Sequence, residues 1–365
     1  LARVYGCYQI LDYFNYSSND WFSYIEIKIM NAELNIFLKK KILVYGLGKS
    51  GLSTLRFLKN KSHIFLFDDW PSKVKNPNIK KKLINYKKVL NSKFDKIIIS
   101  PGIDINNCKL SQYLKKNYDK IYSDLDVFYS FFKNDCITIT GTNGKSTTCQ
   151  LLYEVIKSQK PDTKLVGNIG NPILSVKNVK KKTIFIIEAS SYQLEYSKIF
   201  KSKYAVILNI SPDHIERHKT LNKYVKAKFK LLKNQFKNHF AFVKKDDLLI
   251  SKKMKLIKLS SKLIKVNTNG NNNFIKKINN NYFLTETNKE NLSFVLEISK
   301  RLKIKRTSLV KIIQNFKGLQ YRQQTIFKKK YLTIINDSKS TSFSSSISVL
   351  KANSNINWLL GGIPK

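Results

Sequence analysis

Short, nearly continuous apolar runs recur along the chain, at residues 41–45, 64–67, 96–100, 137–140, 183–187, 204–210, 332–335 and 356–360. They are rich in Ile, Val, Leu and aromatic residues, and they do not alternate with polar positions. That is the pattern of strands buried on both faces of a parallel sheet. Between them, apolar residues return at helical spacing: Leu52, Leu55 and Leu58, then Leu151, Leu152, Val155 and Ile156, then Leu292, Val295, Leu296 and Ile298. Strand and helix in alternation predict an α/β fold. Residues 245–290 are rich in Lys and Asn with weak patterning, which predicts irregular strands and loops. Asn288 and Asn291 read as a capping turn opening the next helix, and 316–322 as a linker.

The spacing divides the chain at 40–135, 136–317 and 318–365. The last stretch starts another α/β unit with too few residues to close a sheet of ordinary size, so the chain reads as truncated there. Residues 1–39 read as a doubtful extension. The stretch 1–29 is aromatic-rich without periodicity and lacks the basic start and apolar core of a signal peptide. Met30 is the expected natural start, with 1–29 as upstream read-through.

Candidate chemistry collects where the apolar runs end. The run at 137–140 passes into Gly141-Thr142-Asn143-Gly144-Lys145-Ser146-Thr147 and then into a helical segment. Strand, glycine turn and helix form the setting of a phosphate-binding loop. The glycines turn the backbone N–H groups toward an anion, and the helix adds its positive end. Lys145 suits terminal phosphates, and Ser146 or Thr147 suits Mg²⁺. The general pattern G-x-x-x-x-G-K-[ST] is altered: Ile139 stands at its first position, and the glycine is Gly141. The next two runs deliver Glu188 and then Asp213-His214, so metal-binding side chains follow two strand ends. Residues 224–230, taken alone, read as the solvated face of a lysine-rich helix.

Earlier in the chain, Gly46, Gly48 and Gly51 form G-x-G-x-x-G after the first run, and Asp68-Asp69 end the second run. This is the layout of a dinucleotide-binding turn with its ribose-binding acid, or of the same architecture holding another nucleotide.

The formal net charge of +43 suggests a nucleic-acid binder. Of 67 basic residues, however, only six are Arg, and the lysines are spread along the chain. Sequence readers favour Arg for bidentate contacts, so the charge reads as background and no nucleic-acid partner is expected. Cys7, Cys108, Cys136 and Cys149 share no metal or disulfide spacing, as in reduced cytoplasmic proteins. No apolar run is long enough to span a membrane.

Five motifs in order tie these features together: T-G-T-N-G-K-S-T at 140–147, E-A-S-S-Y-Q-L-E at 188–195, L-N-I-S-P-D-H at 208–214, N-D-S-K-S-T at 336–341 and G-G-I-P-K at 361–365. On them the chain resembles the Mur ligases. The first glycine motif with its Asp pair, and S-P-G-I at 100–103, resemble the D-glutamate-adding branch.

That resemblance implies three domains: a Rossmann-like UDP-binding domain, a P-loop ATPase-like centre and a truncated Rossmann-like third domain. It implies a cytoplasmic, monomeric, ATP- and Mg²⁺-dependent enzyme. Such an enzyme phosphorylates the carboxylate of UDP-N-acetylmuramoyl-L-alanine and joins it to D-glutamate. By position, it assigns Lys145, Ser146 and the loop amides to phosphate and Mg²⁺. Glu188 and His214 become Mg²⁺ ligands, and Lys228 the lysine that is carbamylated, with Lys226 as the neighbouring alternative. Asn288, Arg322 and Asp337 fall to the nucleotide. Lys49, Ser50, Asp68, Asp69, Gly102 and Asn168 fall to the uridine substrate, Lys339 and Thr341 to phosphate and substrate, and Lys365 to D-glutamate. The rival readings are a sister ligase, a folylpolyglutamate synthase, an inactive nucleotide-binding fragment and a basic nucleic-acid module.

Overall fold

A computed structural model describes residues 35–270, 272–340 and 343–361. Met30, Cys7, Thr341 and Lys365 lie outside the described residues. The first sheet is fully parallel, in the order β2 (His63–Phe67), β1 (Lys41–Tyr45), β3 (Lys96–Ile99), β4 (Ile121–Tyr122). Ile42, Leu43, Val44 and Tyr45 are all buried, as expected of a strand covered on both faces. Helix α1 (Lys49–Leu58) leaves the glycine turn after β1, and α2 (Asp124–Phe131) follows β4.

The second sheet has six parallel strands in the order β10 (Lys262–Val266), β9 (Phe240–Lys244), β8 (Tyr204–Ile207), β5 (Cys136–Thr140), β7 (Ile184–Glu188), β6 (Thr163–Gly167). Strand β5 is central and wholly buried. It runs into α3 (Lys145–Lys157), whose apolar face packs on Leu292, Val295 and Ile298 of α6 (Glu286–Arg301). Between them in sequence lie α4 (Ser191–Tyr196), beyond β7, and α5 (Leu221–Lys233), beyond β8. The two sheets are joined by α2. Asp126 Oδ1 accepts the backbone N–H groups of Lys198, Ile199 and Phe200 at 2.8–3.0 Å. Gln193 Nε2 donates to Asp124 at 3.1 Å.

Three sequence readings are corrected. Residues 245–290 are regular: the helix Leu248–Met254 is capped by Asp247, whose side chain accepts from Ile250 N–H, and β10 and the helix Asn272–Ile278 follow. The buried positions that anchor them (Ile250, Val266, Ile275 and Ile278) lie in short apolar groups broken by lysines and asparagines, so no long stripe was visible. Helix α6 begins one turn earlier than read, after Thr285 as N-cap; Asn288 and Asn291 are buried within it and do not cap it. Residues 356–360 form no strand, and Leu359 is 94% exposed. A strand needs a ladder partner, and β12 (Leu332–Asn336) is paired instead with β11 (Gln324–Lys329) in an antiparallel hairpin.

Candidate functional site

Three neighbouring strands of the second sheet end at one place. The loop after β5, Glu188 at the tip of β7 and the segment after β8 all lie at carboxyl ends, where open α/β sheets bind ligands. Gly144 is the N-cap of α3 in the left-handed conformation, φ +82°. A Cβ there would lie 2.0 Å from Asn291 Oδ1, so glycine is required by both the conformation and the approach of α6.

Half of the loop is already fastened. Thr142 N–H donates to Asn209 O at 3.0 Å, and Asn143 N–H to Asn209 Oδ1 at 2.9 Å. Lys145 Nζ folds back to donate to Gly141 O at 2.9 Å and Thr142 O at 2.7 Å. Burial pushes its amine pKa down, with Arg322 acting the same way, while Glu188 and Asp213 oppose the shift.

Glu188 is 1% exposed. It accepts from Ser146 Oγ at 2.8 Å and from Asn168 Nδ2 at 2.9 Å. Asn168, which the family resemblance gave to the uridine substrate, therefore touches the candidate metal-binding carboxylate. Among the described residues no three His, Cys, Asp or Glu side chains gather as a metal cage. The donors brought together are a hydroxyl and a carboxylate. Hard oxygen donors of this kind fit a Mg²⁺ ion that takes its remaining ligands from water and phosphate.

Tyr224 organises the other side. Its hydroxyl is 3.1 Å from Thr142 Oγ1, and its ring lies 4.5 Å from Lys228 Nζ and 6.4 Å from the His214 ring. Lys228 is 1% exposed and donates to Gly141 O at 2.7 Å. The solvated-face reading fails here, because 228 lies one turn from Tyr224 on the buried side of α5; its neighbour Lys226 is exposed. Burial, reinforced by Lys145, lowers the Lys228 pKa well below the usual amine range.

His214 stands at the N-cap of the short helix Ile215–His218 with φ +54°, an uncommon conformation for a side-chain-bearing residue. Sequence reasoning passed over Tyr224 and His218. His218 is buried, with Nε2 3.0 Å from Ser191 Oγ. Burial, then the charges of Arg217 and Lys228, bring its pKa down to about 4. Its one sequence signal is position, four residues past His214.

On the far side of the loop, Asn288 Nδ2 donates to Tyr282 O at 2.8 Å and to Gln323 Oε1 at 2.9 Å. Gln323 N–H donates to Asp337 Oδ1 at 3.0 Å. Gln323, which the sequence reading did not select, thus links Asn288 to Asp337. Lys339 is exposed.

The first-sheet candidates form a separate group. Asp68 Oδ2 accepts Leu47 N–H at 2.7 Å, and Asp69 Oδ1 accepts the Tyr45 hydroxyl at 2.6 Å. Lys49 and Ser50 open α1, and Gly102 lies on the turn beyond β3.

Known proteins share this layout. The family model "Mur ligase middle domain" matches residues 139–312, and "Mur ligase MurD-like, N-terminal domain" matches 40–121. The UDP-N-acetylmuramoylalanine–D-glutamate ligase of Rickettsia prowazekii is 33% identical over 356 residues, 91% of this chain and 79% of that protein. The ligase of the same name from Buchnera aphidicola is 34% identical, covering 90% and 79%. Among solved structures, MurF ligase from Thermotoga maritima in complex with ADP superposes with a TM-score of 0.50 at 16% identity, covering 85% of this chain and 71% of that one. The UDP-N-acetylmuramate:L-alanyl-gamma-D-glutamyl-meso-diaminopimelate ligase of Neisseria meningitides gives 0.51 at 12% identity, covering 77% and 99%. These two likenesses bear on the fold.

Proposed function

The chain belongs to the Mur ligase family, and within it we propose that it is the ATP-dependent ligase that adds D-glutamate to UDP-N-acetylmuramoyl-L-alanine in peptidoglycan synthesis. The observation that carries this is the 33% identity to the Rickettsia prowazekii ligase over 79% of that protein's length. On this reading residues 40–135 bind the UDP substrate, 136–317 bind ATP and 318–365 belong to a third domain. The protein works in the cytoplasm as a monomer. Among the described residues no helix is long and apolar enough to cross a membrane.

The chemistry proceeds in two transfers. A carboxylate is a poor electrophile, so its oxygen first attacks the γ-phosphorus of ATP, giving an acyl phosphate and ADP. The D-glutamate amine then attacks the acyl carbon, and phosphate leaves with the C–O bond electrons as the amine loses a proton. Positioning and charge neutralisation carry the catalysis.

The N–H groups at the start of α3 face the phosphates, and Lys145 exchanges its two loop carbonyls for phosphate oxygens. Ser146, Glu188, His214 and a carbamylated Lys228 would hold Mg²⁺, which when bound neutralises phosphate charge. The depressed pKa of Lys228 supports the carbamate. A neutral amine attacks CO₂, forming an N–C bond and releasing a proton, and the cation becomes a carboxylate. Asn288, Arg322 and Asp337 serve the nucleotide, and Lys339 and Thr341 the phosphate and substrate. Lys49, Ser50, Asp68, Asp69, Gly102 and Asn168 serve the uridine substrate, and Lys365 D-glutamate.

Phosphate release from ATP tests the reading. It should require both UDP-N-acetylmuramoyl-L-alanine and D-glutamate. Release with a folate and L-glutamate, and none with the expected pair, would reject it.

A further inference from the structure

Arg217 sits where the first sheet's loops meet the second sheet. Its side chain is 8% exposed, with Nη1 3.5 Å from Asp104 Oδ1, on the turn beyond β3. Nη2 is 3.2 Å from Glu195 Oε2 and donates to the Tyr196 hydroxyl at 2.7 Å, both on α4. The guanidinium plane lies 5.2 Å from the Tyr192 ring and 5.6 Å from that of Tyr196. Tyr196 Oη also accepts Ile105 N–H at 3.4 Å. One cluster therefore grips the 100–105 loop twice.

The other end of that loop is fastened to the glycine turn of β1. Ser100 Oγ donates to Gly46 O at 2.6 Å, and a Cβ on Gly46 would come within 2.9 Å of Ile103. Three residues before Arg217 is His214, whose ring is 5.0 Å from that of Tyr192. Arg217 is buried and its carboxylate partners Asp104 and Glu195 keep only 17% and 28% side-chain exposure, which makes the cluster a costly way to gain stability. Desolvating a guanidinium and two carboxylates offsets most of their attraction, and apolar residues of similar size would serve the fold as well. Among the described residues Arg217 Nε finds no hydrogen-bond partner. What a planar charged fork supplies is direction.

We propose that Arg217 is a positioning residue, which locks the 100–105 loop to the segment carrying His214 so that the two ends of the UDP substrate meet the two halves of the site in register. The inference rests on the reading above that the glycine turn and Gly102 hold the uridine substrate.

Steady-state kinetics of the full chain with Arg217→Lys, Asp104→Asn and the double variant test it. Lysine keeps the charge and loses the fork; Asn keeps the shape and loses the charge. Arg217→Lys should raise KM for UDP-N-acetylmuramoyl-L-alanine about tenfold and lower kcat, with the Kd for ADP within about twofold of wild type. Asp104→Asn should raise the same KM with little change in kcat. The double variant should be no worse than Arg217→Lys alone, since both break one link. A merely structural role would instead lower ADP affinity in parallel with the rise in KM, and that outcome overturns the proposal. So does an unmoved KM in both single variants, or additive effects in the double. Should Arg217→Lys not fold, the KM of Asp104→Asn decides alone. A wild-type chain that binds ADP but not the UDP-sugar overturns the substrate reading itself. Wild-type binding with unmoved variants overturns only this inference.

Discussion

Replacing Lys228 by methionine separates what this buried side chain does for the fold from what it does for turnover. The amine is 1% exposed and donates to Gly141 O at 2.7 Å and to Thr140 Oγ1 at 3.4 Å. Methionine has similar length and no donor. Gly141 O keeps its bond from Lys145 Nζ, so the substitution loses the Lys228 hydrogen bonds and leaves no orphaned carbonyl, at a cost of about 1–3 kcal/mol. Burying an apolar side chain there returns about 1.5–3 kcal/mol, and repulsion from Lys145 disappears. The terms nearly cancel, so Tm should move by less than about 5 °C.

Turnover has no such compensation. If the lysine carries a carboxylate that helps neutralise the phosphates, losing it should cost about 10²–10³ in kcat, the usual effect of removing one preorganised charge-stabilising group. The assay is phosphate release at saturating substrates beside thermal melts with and without ADP. A kcat within tenfold of wild type and an unchanged Tm would refute the carbamate role.

The pH dependence gives a second reading, in CO₂-free buffer. The folded pKa is depressed, so the unfolded chain binds more protons between that pKa and about 10.4. Stability therefore rises with pH across that window, and the gain is complete above it. Lys228→Met lacks this term, so its stability should rise less steeply on the alkaline side. Equal slopes would mean the lysine is not strained by burial.

Acetate or formate should restore part of the activity of Lys228→Ala by supplying a carboxylate in the space left; no rescue across a concentration series would count against the carbamate. His214→Ala should lower kcat far more than ATP affinity, measured by turnover against ADP titration calorimetry, and an unchanged rate would make the residue structural. Gly144→Ala places a Cβ 2.0 Å from Asn291 Oδ1 at φ +82°, adding about 1–2 kcal/mol of backbone strain to the clash. ADP affinity should fall at least about tenfold by that reckoning, and calorimetry showing wild-type affinity would refute the role given to the loop shape. Glu188→Gln keeps the hydrogen bonds of Ser146 and Asn168 within reach but removes the charge, so half-maximal activity should need roughly tenfold more Mg²⁺; an unmoved Mg²⁺ titration would place the metal elsewhere.

What could be read from the sequence follows the range of each interaction. Strands β1, β2, β3, β5, β7 and β8 were legible because burial on both faces demands uninterrupted apolar runs, as in residues 42–45 and 137–140; β4, β6, β9 and β10 were not read from the sequence. Lys145, Glu188 and His214 were legible because each follows such a run directly, and strand order then brings their ends together. Tyr224, His218 and Gln323 were not. Each owes its place to a partner distant in sequence: Thr142 for Tyr224, Ser191 for His218, Asn288 and Asp337 for Gln323. Lys228 was misleading on composition alone, because a lysine among lysines looks solvated until its helical phase is fixed by Tyr224 and Phe229 facing the core.

The first glycine motif shows a further limit. G-x-G-x-x-G with an acid after the second strand is a fingerprint for a dinucleotide, yet here most of its features are used inside the protein. A Cβ on Gly51 would come within 1.9 Å of Gly46 O, so the third glycine is required by the packing of the turn itself. Asp68 holds Leu47 N–H in that turn with one oxygen and Trp70 N–H with the other, and Asp69 holds Tyr45. A carboxylate has about four acceptor sites, so both acids keep capacity for a ligand after closing the loop. The motif thus specifies a turn that presents N–H groups and an acid, and many nucleotides meet that description. What distinguishes them is the surface the turn faces. In this chain it faces the 100–105 loop, and through Asp104 and Arg217 the segment that carries His214. On the proposed function, a ligand held at the glycine turn would extend from there toward the phosphate loop of the second sheet. That arrangement suits a long substrate reacting at its far end, whereas a dinucleotide reacts at a ring close to the same sheet.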